Sequence, residues 1–194
     1  MMRLVRLTLS QIAWAAMLAA ASSIPAQEAS LEIDPAKTKV EFTLEDVLHT
    51  VHGTFTLKRG NIRFDSSTGA ASGALVVDAT SGQSGSNARD HRMHANVLES
   101  GAYPEIVFRP DRVEGKVAAQ GASHVQLHGV FAIHGAEHEI TVPTDVEAVD
   151  GEYTVNARFL VPYVKWGMKN PSNLFLRVND KVEITVHTVA RPPK

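Results

Sequence analysis

Apolar and polar residues alternate along most of the chain beyond residue 38. The stretches 40–44, 125–133 and 153–161 are the clearest examples, because an apolar residue or a glycine occupies every second position in each of them. A period of two places successive side chains on opposite faces of a β-strand, so that one face can be buried while the other is in water. We therefore predict a mainly β protein built from half-buried strands.

Residues typical of turns separate these strands. Asp150-Gly151 predicts a two-residue hairpin, because glycine accepts the positive φ that such a turn needs. We interpret Lys58-Arg59-Gly60 as a further turn, between strands at 51–57 and 62–64. Eight or more short strands of this kind favour an antiparallel sheet that curls over its apolar face. A barrel and a sandwich satisfy the pattern equally well.

Two stretches interrupt the strand pattern. Residues 86–98 begin with helix-capping residues and place Met93 and Val97 one turn apart, which predicts a short amphipathic helix inserted between strands. Residues 163–175, which include Trp166, form a second irregular excursion. Both stretches can be placed across one mouth of a barrel.

The N-terminal segment has the three parts of a secretory signal. Arg3 and Arg6 precede an uncharged run at 12–21, and small or turn-prone residues follow at 22–26. We predict a signal peptide at 1–26, a single domain at 27–194, and export to the periplasm. Cleavage after Ala26 removes two of the 19 basic residues and none of the 21 acidic ones, so the net charge changes from −2 to −4.

Composition excludes several classes of function. The chain has no cysteine, so it contains no disulfide, Cys nucleophile, thiolate zinc site or cysteine-ligated iron–sulfur cluster. Its basic residues are scattered and outnumbered by acidic ones, so we expect no nucleic-acid partner.

Nine histidines are candidates for metal binding. His124 and His128 would share one face of a strand but stand about 13 Å apart, too far for one zinc ion. His91 and His94 are neighbours on the predicted helix, but without clustered carboxylates a solvated helix face is favoured. We predict no metal site. A histidine-based metal-binding or interaction module remains an alternative hypothesis.

Catalytic motifs are also missing. The sequence has no G-x-S-x-G, no H-E-x-x-H and no phosphate-binding glycine loop, so we assign no catalytic residue and expect no enzyme. Tyr, His and Arg side chains inside a barrel can nevertheless perform acid–base chemistry. An enzyme that acts on an apolar substrate therefore remains a second alternative.

The chain resembles the YceI-like family of periplasmic lipid-binding proteins over nearly all of Leu31 to Val189. The blocks that carry the resemblance follow the family's order: Asp34–Phe42, Val51–Phe55, Gly60–Asp65, Asn87–Phe108, Gly129–Gly135, Trp166–Met168 and Val182–Ile184. The resemblance implies a lipocalin-like antiparallel barrel of about eight strands, with the short helix near one mouth. It also implies a carrier or sequestering protein that transports a long apolar ligand, such as an isoprenoid quinone, another polyisoprenoid or a fatty acyl amphiphile.

A barrel of about eight strands can enclose one elongated ligand, and the apolar strand faces would supply its lining. We expect the ligand to contact residues of the lining and the mouth: Phe42, Leu44, Phe55, Met93, Leu98, Tyr103, Ile106, Phe108, Leu127, Phe131, Phe159, Val161, Trp166 and Phe175. No cofactor is expected apart from this bound lipid. A homodimer and transient contact with a membrane or a membrane protein stay open.

Overall fold

The computed structural model describes residues 28–45, 49–172 and 177–193. The predicted signal peptide lies outside these residues. The strands are β1 (Glu28–Ile33), β2 (Lys39–Glu45), β3 (Thr50–Asp65), β4 (Ala71–Gln83), β5 (Glu105–Glu114), β6 (Gly121–Ile133), β7 (Ala136–Val149), β8 (Glu152–Val161) and β9 (Val182–Arg191). A 3-10 turn occupies Pro35–Lys37, and helix α1 (Asn87–Arg92) continues into a π-helical turn at Met93–Val97.

The strands form a closed antiparallel barrel. Its order is β3-β2-β9-β8-β7-β6-β5-β4, and β4 pairs back with β3 to complete the ring. β1 and β2 share one position in the ring, between β3 and β9. β2 pairs with the first half of β3 and β1 pairs with its second half, and both strands also pair with β9. Closure removes the open sheet edges that a sandwich would leave. The barrel implied by the family resemblance is confirmed.

The predicted turn at Lys58-Arg59-Gly60 is wrong. These residues lie inside β3, which runs without a break through 16 residues. The register with β4 shifts between Leu57 and Arg59, so the strand contains a bulge. An extra residue in a strand changes which parity faces inward, and Leu57 and Ile62 accordingly both line the interior. The same break in the apolar alternation had suggested a turn.

Two tight hairpins lie at opposite ends of the barrel. Asp150 and Gly151 have φ values of 51° and 79°, and the flanking Val149 pairs with Glu152, so the predicted hairpin is confirmed. His134 and Gly135 form a similar turn between β6 and β7, with φ values of 53° and 74°. Positive φ at both positions matches the right-handed twist of the paired strands.

The two irregular stretches meet at one end of the barrel. The β4–β5 connection contains α1, the β8–β9 connection contains Trp166, and both lie at the end where His134 and Gly135 turn. We call this end the helix end and the opposite one, with the β3–β4, β5–β6 and β7–β8 turns, the turn end. The predicted inserted helix and its place at a mouth are confirmed.

None of the helices in the described part of the chain combines the length and apolar character that crossing a membrane requires.

Buried apolar side chains form two clusters inside the barrel. The helix-end cluster is centred on Phe131, Tyr163 and Met168. The turn-end cluster contains Leu31 and Phe64 and other residues of β1, β3 and β9.

Candidate functional site

A cavity of about 530 Å³ occupies the barrel interior and borders both clusters. Its extent follows from β9, where every second residue lines it: Val182, Ile184, Val186, Thr188 and Ala190. A strand segment of this length covers about 26 Å, or about 20 Å along the axis of a barrel whose strands tilt by about 40°. The cavity is therefore long enough for an extended chain, and its volume lies within the usual range of ligand pockets.

The lining is overwhelmingly apolar. Seven of its described residues carry a polar side-chain group: Ser84, Ser86, Arg89, Arg92, Thr144, Tyr163 and Thr188. The first four belong to the β4–β5 connection, at the helix end. The rest of the described lining consists of apolar side chains and the three hydroxyl groups of Thr144, Tyr163 and Thr188.

The three hydroxyl groups are already hydrogen-bonded to protein. Thr144 Oγ1 donates to the Val142 carbonyl at 3.0 Å, and Thr188 Oγ1 lies 2.6 Å from Thr38 Oγ1. Tyr163 Oη donates to the Asn179 carbonyl at 2.7 Å. A polar group buried without a partner costs about 1–3 kcal/mol, so an interior without spare partners disfavours a polar ligand segment.

Tyr163 is neutral under ordinary conditions. Burial raises the pKa of Tyr163 to about 12, and the negative charge of Asp180 contributes to the same shift. A hydroxyl that is neutral at pH 7 and donates to a backbone carbonyl is poorly placed for acid–base chemistry.

Aromatic rings shape the wall near the mouth. The Phe42 and Phe55 ring centroids are 5.4 Å apart, and those of Phe131 and Phe159 are 6.0 Å apart in an edge-on arrangement. The Phe42 ring lies against Gly53, where a Cβ atom would overlap it. Gly53 thus lets a large ring lie close to the strand.

The structure brings most of the sequence-predicted site residues together. Eleven of them line the cavity: Phe42, Leu44, Phe55, Met93, Leu98, Ile106, Phe108, Leu127, Phe131, Phe159 and Val161. Phe175 lies outside the described residues. Tyr103 and Trp166 do not line the cavity.

Tyr103 packs on the outside of the barrel at the helix end. Its ring lies 4.9 Å from the His134 ring and against Gly135, which has no Cβ atom to prevent this contact. Because 37% of the residue is exposed, Tyr103 covers the β6–β7 hairpin rather than the cavity.

Trp166 closes part of the helix end. Its ring stacks on His138, with centroids 4.1 Å apart and planes within 4°. His138 pairs across the strands with Phe131 and therefore faces inward, so Trp166 lies over the inner side of β6 and β7. Burial lowers the pKa of His138, whose Nε2 atom has no hydrogen-bond partner among the described residues.

Sequence reasoning missed the two arginines of the mouth. Arg89 and Arg92 stand three residues apart on α1, so they lie on neighbouring positions of one helix face, beside Met93. That spacing was visible in the sequence, but only the apolar members of the helix were selected as site residues. The described residues contain no group of three or more His, Asp or Glu side chains arranged to hold a metal ion.

Comparison with protein-family models gives a match to the YceI-like domain over residues 31–190. No curated protein matches the chain.

Three solved structures share the barrel. BcnA of Burkholderia cenocepacia is 19% identical, with a TM-score of 0.66 over 81% of this chain and 98% of its own. A polyisoprenoid-binding domain of Saccharophagus degradans is 15% identical, with a TM-score of 0.68 over 85% and 99%. A YceI protein of Campylobacter jejuni is 14% identical, with a TM-score of 0.62 over 76% and 88%. At these identities the similarities show a common fold.

Proposed function

Because the chain belongs to the YceI-like family, we propose that it binds a long apolar ligand, such as an isoprenoid quinone, another polyisoprenoid or a fatty acyl amphiphile, inside the barrel. The observation that carries this proposal is the apolar cavity of about 530 Å³, in which the three interior hydroxyl groups of the described lining are paired with protein atoms. Transfer of a hydrocarbon chain from water into such an interior is favourable, whereas a polar substrate would find no hydrogen-bond partner there. The Saccharophagus relative, named as a polyisoprenoid-binding domain, supports the same ligand class.

Binding is favoured over catalysis by the chemistry of the lining. The one tyrosine of the described lining is neutral and bonded to a backbone carbonyl, and no histidine or carboxylate lines the cavity there. We propose that the protein carries or sequesters its ligand unchanged in the periplasm, after export directed by residues 1–26. A mature protein whose N-terminus is Gln27 would support the export step.

The ligand can be identified directly. Protein purified from its native compartment should release an apolar or amphiphilic lipid on organic extraction, and mass spectrometry should detect it in stoichiometric amount. Protein that yields no lipid and binds none on addition would contradict the proposal.

A matched pair of variants tests where the ligand lies. Ala157 lines the cavity in the middle of β8, whereas Leu160 on the same strand is 58% exposed. Ala157→Trp should fill the cavity and reduce lipid binding by at least about tenfold, because the bulky ring takes the space of the chain. Leu160→Trp should bind lipid like the wild type. Equal binding by both variants would place the ligand elsewhere.

A further inference from the structure

The charged side chains of the described cavity lining have one sign. Arg89 and Arg92 are the two charged residues of the described lining, and no carboxylate lines the cavity there. The whole chain, in contrast, has 19 basic and 21 acidic residues. The two arginines therefore give the described lining a positive charge, opposite in sign to the net charge of the protein.

Arg89 is held in place by Ser84. Its Nε donates to Ser84 Oγ at 2.7 Å, and its Nη2 donates to the Ser84 carbonyl at 3.0 Å. The nearby carboxylate of Asp90 accepts from the N–H and hydroxyl of the same Ser84, at 2.8 and 2.5 Å. A guanidinium has five N–H donors, so Arg89 is oriented by two of them and keeps others for a ligand.

Arg92 and Ser86 have unused polar groups. Arg92 is exposed and forms no hydrogen bond or ion pair with another described residue. Ser86, which precedes α1, makes no side-chain capping bond, and it also lines the cavity. Among the described residues, the mouth thus combines an oriented guanidinium, a guanidinium without a partner and a hydroxyl group that makes no capping bond.

We propose that these residues bind an anionic head, so that the protein selects single-chain amphiphiles ending in a carboxylate or a phosphate over neutral ones. This inference rests on the proposed function, because it assigns the polar end of the ligand whose chain occupies the barrel. Guanidinium groups bind planar oxyanions through paired charge-assisted hydrogen bonds. The apolar interior excludes a charged head, so the head stays between α1 and the mouth while the chain enters first.

The test compares matched ligands on delipidated protein, at concentrations below those that form micelles. Oleate is paired with oleyl alcohol, and a polyprenyl monophosphate is paired with the polyprenol of equal length. We expect each anionic ligand to bind about tenfold more tightly than its neutral partner. Added salt should weaken the binding of the anionic ligands only. If only oleate binds more tightly than its neutral partner, the site selects a carboxylate head. If only the polyprenyl phosphate does so, the site selects a phosphate head.

Three variants locate the effect. Arg92→Gln and Arg89→Gln should each weaken binding of the anionic ligand about fivefold. Each should change the affinity for the neutral ligand by less than about twofold. The control is Arg63→Gln, because Arg63 is exposed on β3 near the turn end. It should change neither affinity.

The outcomes separate this inference from the proposed function. If neutral and anionic ligands bind equally well, or if the arginine variants leave the preference unchanged, the anionic head site is wrong and lipid binding stands. If no amphiphile of either kind binds, the proposed function itself fails.

Discussion

The helix end and the turn end close the same barrel by different means. At the turn end, short connections join the strands, and the interior hydroxyl of Thr188 is paired with Thr38. At the helix end, two long connections cross the opening, one with α1 and the other with Trp166. Buried apolar side chains pack at both ends, but the two arginines of the described lining lie at the helix end.

This difference implies a direction for the ligand. A chain that enters the cavity meets only apolar or already paired groups toward the turn end, while unpaired donors remain at the helix end. Substitutions in the turn-end cluster should therefore change stability alone, whereas substitutions at the helix end should also change ligand access and head recognition. The first two predictions below test that division, and the next two examine single groups at the helix end.

The largest effect is expected from Phe64→Ala. Phe64 is buried in the turn-end cluster and does not line the cavity. Its removal should lower the free energy of unfolding by about 3–5 kcal/mol in a denaturant titration. The folded variant should still release a bound lipid at the wild-type rate. Faster release would contradict the assignment of ligand access to the helix end.

Trp166→Ala should affect access more than stability. The variant loses the stack on His138, which should cost about 2–3 kcal/mol of unfolding free energy, and it uncovers part of the helix end. Release of a fluorescent lipid, followed by stopped flow, should become several times faster. Trp166→Phe, which keeps an aromatic ring, should lie close to the wild type. Unchanged release from Trp166→Ala would show that this segment does not limit access.

Tyr163→Phe should have a smaller effect. It removes the hydrogen bond to the Asn179 carbonyl and should cost about 1 kcal/mol. The control, Tyr153→Phe, lies near the turn-end cluster and should change stability by less than about 0.5 kcal/mol. In an alkaline absorbance titration of the folded protein, the transition at about pH 12 should disappear in Tyr163→Phe alone. Its persistence would mean that another residue ionises there.

The smallest effect is a pH dependence from His138. Burial lowers the pKa of His138 below its usual 6.5, so the unfolded chain binds a proton more readily than the folded barrel. Its contribution to stability is present above pH 6.5 and is lost as the pH falls toward the pKa of the folded state. Wild-type Tm should therefore fall in this window relative to that of His138→Phe.

A control variant and a second pH range separate the effect of His138 from that of other titrating groups. His91→Phe, on the exposed side of α1, should keep the wild-type pH profile. Hydrogen bonds from Ser67 and Thr80 lower the pKa values of Asp65 and Asp78 below 3.8, so their contributions are lost only in stronger acid. Parallel profiles for wild type and His138→Phe down to pH 4.5 would contradict the assignment.

Period-two alternation was enough to predict most of the strands and much of the wall, but β1 was not among the predicted strands. Phe131 and Phe159 could be placed on inward faces because each lies in an unbroken apolar parity. The bulge in β3 could not be distinguished from a turn, since both shift the parity between Leu57 and Ile62. Closure through β3 and β4 depends on pairing between strands, which no local pattern determines.

The helix end was harder to predict for a physical reason. Trp166 lies in an irregular connection, so no periodicity told whether its ring would line the cavity or cover His138. The roles of Arg89 and Arg92 depend on which face of α1 turns toward the opening. Tertiary packing decides both questions.

The direction of the ligand can be measured by fluorescence. The sequence has two tryptophans, and removal of residues 1–26 leaves Trp166, at the helix end, as the only one. Bromine quenches tryptophan emission at short range, so a fatty acid brominated beside its head should quench Trp166 strongly, and one brominated at its chain end should quench it weakly. Stronger quenching by the chain-end label, or equal quenching by both, would contradict a cavity that takes the chain first and holds the head at the helix end.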